Sequence, residues 1–298
     1  MMRKKFIKLT AACVLTTVVL YSGSLQSQPA SALTNPSAIY EPVQQQAEQW
    51  AAELASQPSF HAWKQASLVV SPIGPGTHSW LVLVKQNKLT VGYLIINAVE
   101  SGGYQLGEYG TSSSPPFNEG TLSKSVQQLE LLHPASSIEA LYVNPLLAAW
   151  KVASEKETYY TDAASGESLP IGENDWLAAE SQKPVNQGRM QIGANAALLK
   201  QVSLPSFNAY DKLPWLTDRP ISLNASSYNS LFAKINNKEQ LRYTAELFDG
   251  QMLYVWSVVG YNKWDSGQLY VALEAGEDGL DRRYIPVPLL IELGRFYR

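Results

Sequence analysis

Of 298 residues only Cys13 is a cysteine, and it lies in an N-terminal segment laid out like a secretory signal peptide. Residues 1–8 carry Arg3, Lys4, Lys5 and Lys8 with no acid, and residues 9–20 form a short apolar run. A polar stretch then ends in Ala30-Ser31-Ala32, with small residues at the −3 and −1 positions of a cleavage site. Cleavage after Ala32 leaves a chain without cysteine. Such a chain has no disulfide staple, so its fold has to rest on a buried apolar core. It also lacks a thiol nucleophile, a thiolate metal site and a redox pair.

The apolar run falls short of the roughly 20 residues that a membrane span needs, so a membrane tie would require the segment to stay uncleaved. A lipoprotein reading on Cys13 fails because Thr10 stands at its −3 position and little apolar sequence precedes it. Removal of the four cations takes the formal charge from −3 to −7. That balance argues against nucleic acid and anionic lipid as partners, which select basic patches. With 45% hydrophobic and 16% charged residues, the chain can build one large domain or two small ones.

Residues 33–42 contain Pro and Ser and read as an irregular lead. In 41–56, Val43, Ala47, Trp50, Ala51 and Leu54 recur at helical spacing, with Pro58 just beyond. Strand-like runs follow at 66–70, 80–84, 90–97 and 104–109, separated by Gly74-Pro75-Gly76, Gln86-Asn87 and Ser101-Gly102-Gly103. Such short connections predict an antiparallel meander. Residues 121–132 read as a helix with Leu122, Val126, Leu129 and Leu132 on its inner face, and 137–142, 147–152 and 158–162 as strands. The stretch 171–220 is punctuated by Pro184, Gly188, Pro205, Pro214 and Pro220 and reads as an irregular connection, with a helical turn or two at 174–181. Beyond it, 226–235 and 286–296 read as helices. The runs 240–248 and 251–261 flank Asp249-Gly250, a strong hairpin signal, and 268–274 and 282–285 add strands. The expected fold class is therefore α+β, antiparallel sheets packed by helices. The expected units are a signal peptide (1–32), an α+β unit (33–170), a connection (171–220) and a smaller α+β unit (221–298).

The most distinctive local signature is Tyr159-Tyr160-Thr161-Asp162-Ala163-Ala164-Ser165-Gly166-Glu167, a strand that ends in a tight Asx-type turn. It resembles the closing hairpin of PepSY-type and propeptide-like modules of secreted bacterial proteins. Val91-Gly92-Tyr93-Leu94-Ile95-Ile96-Asn97, continued by Tyr104-Gln105-Leu106-Gly107-Glu108-Tyr109, resembles strands in the propeptides of streptopain-like peptidases. Over residues 40–170 the resemblance implies a PepSY-like or cystatin-like role: binding, inhibiting or helping to fold a partner. Ser257-Val258-Val259-Gly260-Tyr261, with Leu269-Tyr270-Val271-Ala272-Leu273, resembles the strand pair around the catalytic His of papain-like peptidases. Tyr254 stands where that His would be, and the mature chain has no Cys, so both halves of a thiol–imidazole pair are missing.

The remaining chemistry is sparse. His61, His78 and His133 are the only histidines, and none sits at metal-ligand spacing. His78 precedes Ser79 in a turn-rich loop, but the chain has no Gly-x-Ser-x-Gly elbow. Glu246 and Asp249 flank one hairpin, and Glu274, Glu277, Asp278 and Asp281 cluster near another. Paired acids facing a sugar would make a glycosidase, but Trp50, Trp150 and Trp256 lie in periodic apolar segments where core packing explains them first. The run from Glu274 to Asp281 lacks EF-hand spacing. The sequence thus predicts no catalytic residue, no cofactor and no metal site. It predicts a secreted or envelope-associated binding protein of a Gram-positive-type bacterium, whose partner is another secreted or envelope protein such as a peptidase. A carbohydrate-active hydrolase using the acids of 246–281 and a structural envelope protein are the alternatives.

Overall fold

Without disulfides the sheet must be covered on both faces, and strand alternation supplies two apolar faces to cover. The structure is a computed structural model and describes residues 40–74, 78–100, 102–130, 135–182, 192–193, 195–223 and 228–298. The segment 1–32 expected to be a signal peptide, with Cys13, and His133 lie outside the described residues. No helix among the described residues is long and apolar enough to cross a membrane.

Helix α1 (Glu41–Ala55) buries Val43, Ala47, Trp50, Ala51 and Leu54, the stripe its spacing predicts. Strands β1 (Ser67–Ile73), β2 (Ser79–Gln86), β3 (Leu89–Ala98) and β4 (Tyr104–Gly110) then pair in order as an antiparallel meander. Helix α2 (Glu119–Gln128) leads to a separate three-stranded antiparallel sheet of β5 (Ser137–Asn144), β6 (Leu147–Ala153) and β7 (Thr158–Asp162). Helix α3 (Glu173–Ser181) and strand β8 (Leu198–Ser203) follow, then helix α4 (Asn229–Asn236) and strands β9 (Leu241–Leu247), β10 (Met252–Trp264), β11 (Leu269–Glu274) and β12 (Arg283–Pro286). Helix α5 (Val287–Leu293) and β13 (Arg295–Tyr297) end the chain. The fold is α+β.

Among the described residues the large sheet has ten strands, in the order β1-β2-β3-β4-β12-β11-β10-β9-β13, with β8 on the second half of β10. It runs across the division expected between the two units: Tyr109 of β4 is in register with Tyr284 of β12. The stretch 171–220, expected to be an irregular connection with a helical turn or two at 174–181, supplies α3 there and, unexpectedly, β8. Glu53 of α1 accepts the Leu198 amide at 2.7 Å, and the Trp50 indole donates to the Gly193 carbonyl, which ties that stretch to α1.

Alternate residues feed two layers. Val82, Val84, Leu94, Ile96, Tyr109, Tyr270, Ala272 and Tyr284 join α1 in one core. Their neighbours point the other way. Leu81, Tyr93 and Ile95 meet Tyr142, Ala148 and Ala163 of the small sheet, while Val271, Leu273 and Ile285 meet Leu231 and Ile235 of α4 and Leu289 and Leu290 of α5. The small sheet and the two C-terminal helices thus share the face opposite α1.

Helix α2 departs from expectation. Its fully buried residues are Thr121 and Ser125, with Leu122, Val126 and Leu129 only half-buried, and it stops at Gln128. The reason is close docking on the β7 turn. Ser125 Oγ donates to the Thr121 and Gly166 carbonyls and accepts from Thr161 Oγ1 at 2.7 Å, while Thr121 Oγ1 donates to the Ala163 carbonyl. A Cβ on Gly166 would lie 2.6 Å from the Thr121 carbonyl oxygen, so only small hydroxyl residues and glycine allow this approach. The helix is capped by Asn118, whose Oδ1 accepts the Thr121 amide at 3.0 Å and whose Nδ2 donates to the Pro115 carbonyl. Asn118→Ala is expected to lower unfolding stability by about 1 kcal/mol, measured by urea denaturation, with the slope unchanged.

Candidate binding cleft

The site starts from a missing side chain. Gly110 of β4 is in register with Tyr93 on one side and Arg283 on the other. With no Cβ in the way, the Tyr93 ring lies across Gly110, where a Cβ would be 2.6 Å from Cε1. Glu108, two residues earlier on the same face, takes Arg283 in a two-pronged contact: Nε and Nη2 donate to Oε2 at 3.1 and 2.7 Å. Nη2 also donates to the Pro145 carbonyl, and the guanidinium lies 5.4 Å from the centroid of the Trp256 ring. The Glu108 side chain is 0% exposed and that of Arg283 is 13% exposed.

Burial pushes the Glu108 carboxyl up, and the adjacent guanidinium pulls it back only in part. Burial disfavours the Arg283 charge, but Glu108 more than offsets it, so the guanidinium is held protonated. The Tyr93 hydroxyl is raised well above its ordinary range by burial first and by Glu108 second. Glu108 Oε1, the Tyr93 hydroxyl and the Tyr142 hydroxyl are all buried without a hydrogen-bond partner among the described residues.

Tyr93, Trp256 and Arg283 of this cluster floor a cleft of about 480 Å³ on the face opposite α1. The β7 turn, the segment after β4, the start of β10 and Asp281 wall it. Asp162 is 9% exposed. Its Oδ1 accepts the Ala164 and Ser165 amides, and its Oδ2 accepts the Tyr254 hydroxyl at 2.7 Å. Burial, and then Asp162 itself, push that hydroxyl well above its ordinary range. Tyr254, at the position where the resemblance led us to expect a His, is therefore a hydrogen-bonded wall residue. At the mouth, Tyr210 and Leu253 are 56% and 43% exposed.

The other residues singled out in the sequence disperse. Glu246 and Asp249 are exposed at the tip of the β9–β10 hairpin. Glu246 is opposite Leu253 and Glu274 is opposite Ser257, a separation of about 13 Å along β10 before the sideways offset is added. Glu274 is buried against Arg282 Nε at 2.6 Å. Glu277 and Asp278 are exposed; Asp278 accepts the Leu280 amide, and Asp281 Oδ2 accepts the Ala275 and Gly276 amides. These acids serve the loop's own turns, and no group of three metal-ligating side chains occurs among the described residues. His61 is exposed. His78 and Ser79 line a second cleft of about 490 Å³ beside Tyr142 and Gln105, and the Ser79 hydroxyl donates to Asn97 Oδ1 at 2.8 Å.

Sequence reasoning missed Glu108, Arg283 and Tyr93 as a group. The available signal was a carboxylate inside an otherwise apolar strand, which requires a buried partner. Set against protein-family models, curated proteins and solved structures, the chain gives no match.

Proposed function

We propose that the chain is a non-catalytic binding protein, exported across the cell membrane, that engages another secreted or envelope protein through the cleft over Arg283. The carrying observation is the pairing of a fixed polar floor with an apolar mouth. The polar groups of floor and wall are already engaged: Arg283 with Glu108, and Asp162 with two amides and Tyr254. Fixed groups orient a ligand, and exposed Tyr210 and Leu253 at the mouth offer the apolar contact that a protein partner covers. The likeness of 40–170 to PepSY-type and propeptide modules belongs to the same proposal, since such modules bind their partners. A hydrolase using Glu246 and Glu274 draws no support from carboxylates this far apart, because glycosidase pairs lie within about 10 Å.

A photo-crosslinking amino acid at Leu253 tests the reading. A crosslinker at exposed Leu89, in the β2–β3 hairpin, serves as control. In bacterial culture the Leu253 derivative should capture a discrete exported protein that the Leu89 derivative does not. Equal capture from both positions, or turnover of a glycan by the purified protein, would count against the proposal.

A further inference from the structure

The charges around the cleft do not balance. Among the described residues Arg283 is the one base lining it; it is ion-paired with Glu108 and also feels the Asp162 charge. Glu167 at the rim has Lys124 at 3.7 Å. Asp162 and Asp281 also line the cleft, and neither has an ion-pair partner among the described residues. Asp281 Oδ1 is buried and has no hydrogen-bond partner there. Tyr93 lines the floor, fully buried, with its hydroxyl unpartnered. Around these oxygens stand the rings of Tyr93, Tyr210, Tyr254 and Trp256.

Carboxylates without a counter-charge, set among aromatic rings in a partly dry cleft, favour a cation on two counts. The carboxylates attract it through a lower dielectric than water, and ring faces attract it through their quadrupoles. An anion would meet two uncompensated acids, and a neutral group would leave them so. We propose that the cleft receives a basic side chain, lysine or arginine, of the partner protein, between Asp162 and Asp281 and against the aromatic walls. This rests on the reading of the cleft as the binding site and names the chemistry that fills it. The acidic net charge of the chain steers such a partner toward it.

Capped tripeptides with a central Arg, Lys, Gln or Glu between glycines separate the possibilities when titrated into the purified protein. The readout is the Trp256 indole N–H resonance, assigned with Trp256→Phe. The Arg and Lys peptides should shift it saturably, more weakly as salt is raised. Asp162→Asn or Asp281→Asn should weaken that binding by about tenfold. Asp249→Asn, at the exposed hairpin tip, should leave it unchanged. Asn keeps a carbonyl oxygen for the turn amides, and an unchanged thermal midpoint certifies each fold. Gln or Glu peptides that bind as tightly as Arg would overturn the cation assignment while leaving the cleft as a binding site. If none of the four perturbs Trp256, both readings fall.

Discussion

Gly260→Ala is expected to lower the unfolding free energy by about 3 kcal/mol or more, a strain term with a backbone clash added. Gly260 sits at a bulge in β10, where the register with β11 shifts, and has φ +144°, a conformation side-chain-bearing residues rarely adopt. A Cβ there would lie 2.0 Å from the Val202 carbonyl oxygen and 2.9 Å from its carbon. Both atoms are β8 backbone, so no rotamer change relieves the clash, and β8 would have to leave the sheet edge. That strand is held by the Leu198 amide on Glu53 and by the Leu204 amide on the Val259 carbonyl, so its displacement reaches α1. Gly250 provides the control. It has φ +83° in the hairpin turn, yet nothing among the described residues lies within 4 Å of its missing Cβ, so Gly250→Ala should lose only about 1 kcal/mol. Urea midpoints give the comparison, and amide exchange over 198–203 should accelerate in Gly260→Ala alone. Equal losses at the two glycines would show that β8 does not lock β10.

The same glycine shows what a sequence discloses and what it withholds. Val-Gly-Tyr in β10 is visible as a strand, but the need for Gly260 comes from β8, whose run Leu198-Leu199-Lys200-Gln201 carries no clean alternation. Local signals are legible where the cause is local. The stripe on α1 fixed that helix to within a residue, and Asp249-Gly250 marked the β9–β10 turn, where Phe248, Asp249 and Gly250 all take positive φ. Apolar periodicity does not disclose the inner face of α2, because it ignores hydroxyl groups, and here Thr121 and Ser125 serve a close backbone approach that larger residues would block. The cleft floor was illegible for a different reason. Glu108 and Arg283 meet only because β4 pairs with β12, a contact between distant parts of the chain that leaves no local pattern. The bond of Tyr254 to Asp162 likewise joins β10 to β7 across the chain and leaves no local pattern.

Arg283→Met is expected to be the most damaging single change at the cleft, with a loss of about 3–5 kcal/mol at neutral pH. It strands Glu108, whose side chain is fully enclosed and whose Oε1 already lacks a partner. The loss should depend on pH, and its sign follows from burial. Burial raises the Glu108 carboxyl above its ordinary value of 4.5, and Arg283 is what pulls it back. Without Arg283 the folded-state value climbs further. A carboxyl raised by folding favours the folded state below its unfolded value, and that contribution is lost as pH rises through the folded value. The stability gap between the parent and Arg283→Met should therefore widen from about pH 4.5 to pH 7 and narrow again on acidification. Adding Glu108→Leu removes the stranded charge and fills its space with apolar atoms. The double variant should recover about 2 kcal/mol or more of the loss and show a flatter pH profile. Denaturant midpoints for the four proteins at two pH values complete the cycle. A double variant no more stable than Arg283→Met, or a gap that narrows as pH rises, would mean that Arg283 holds the fold through Pro145 and Trp256 and not through Glu108.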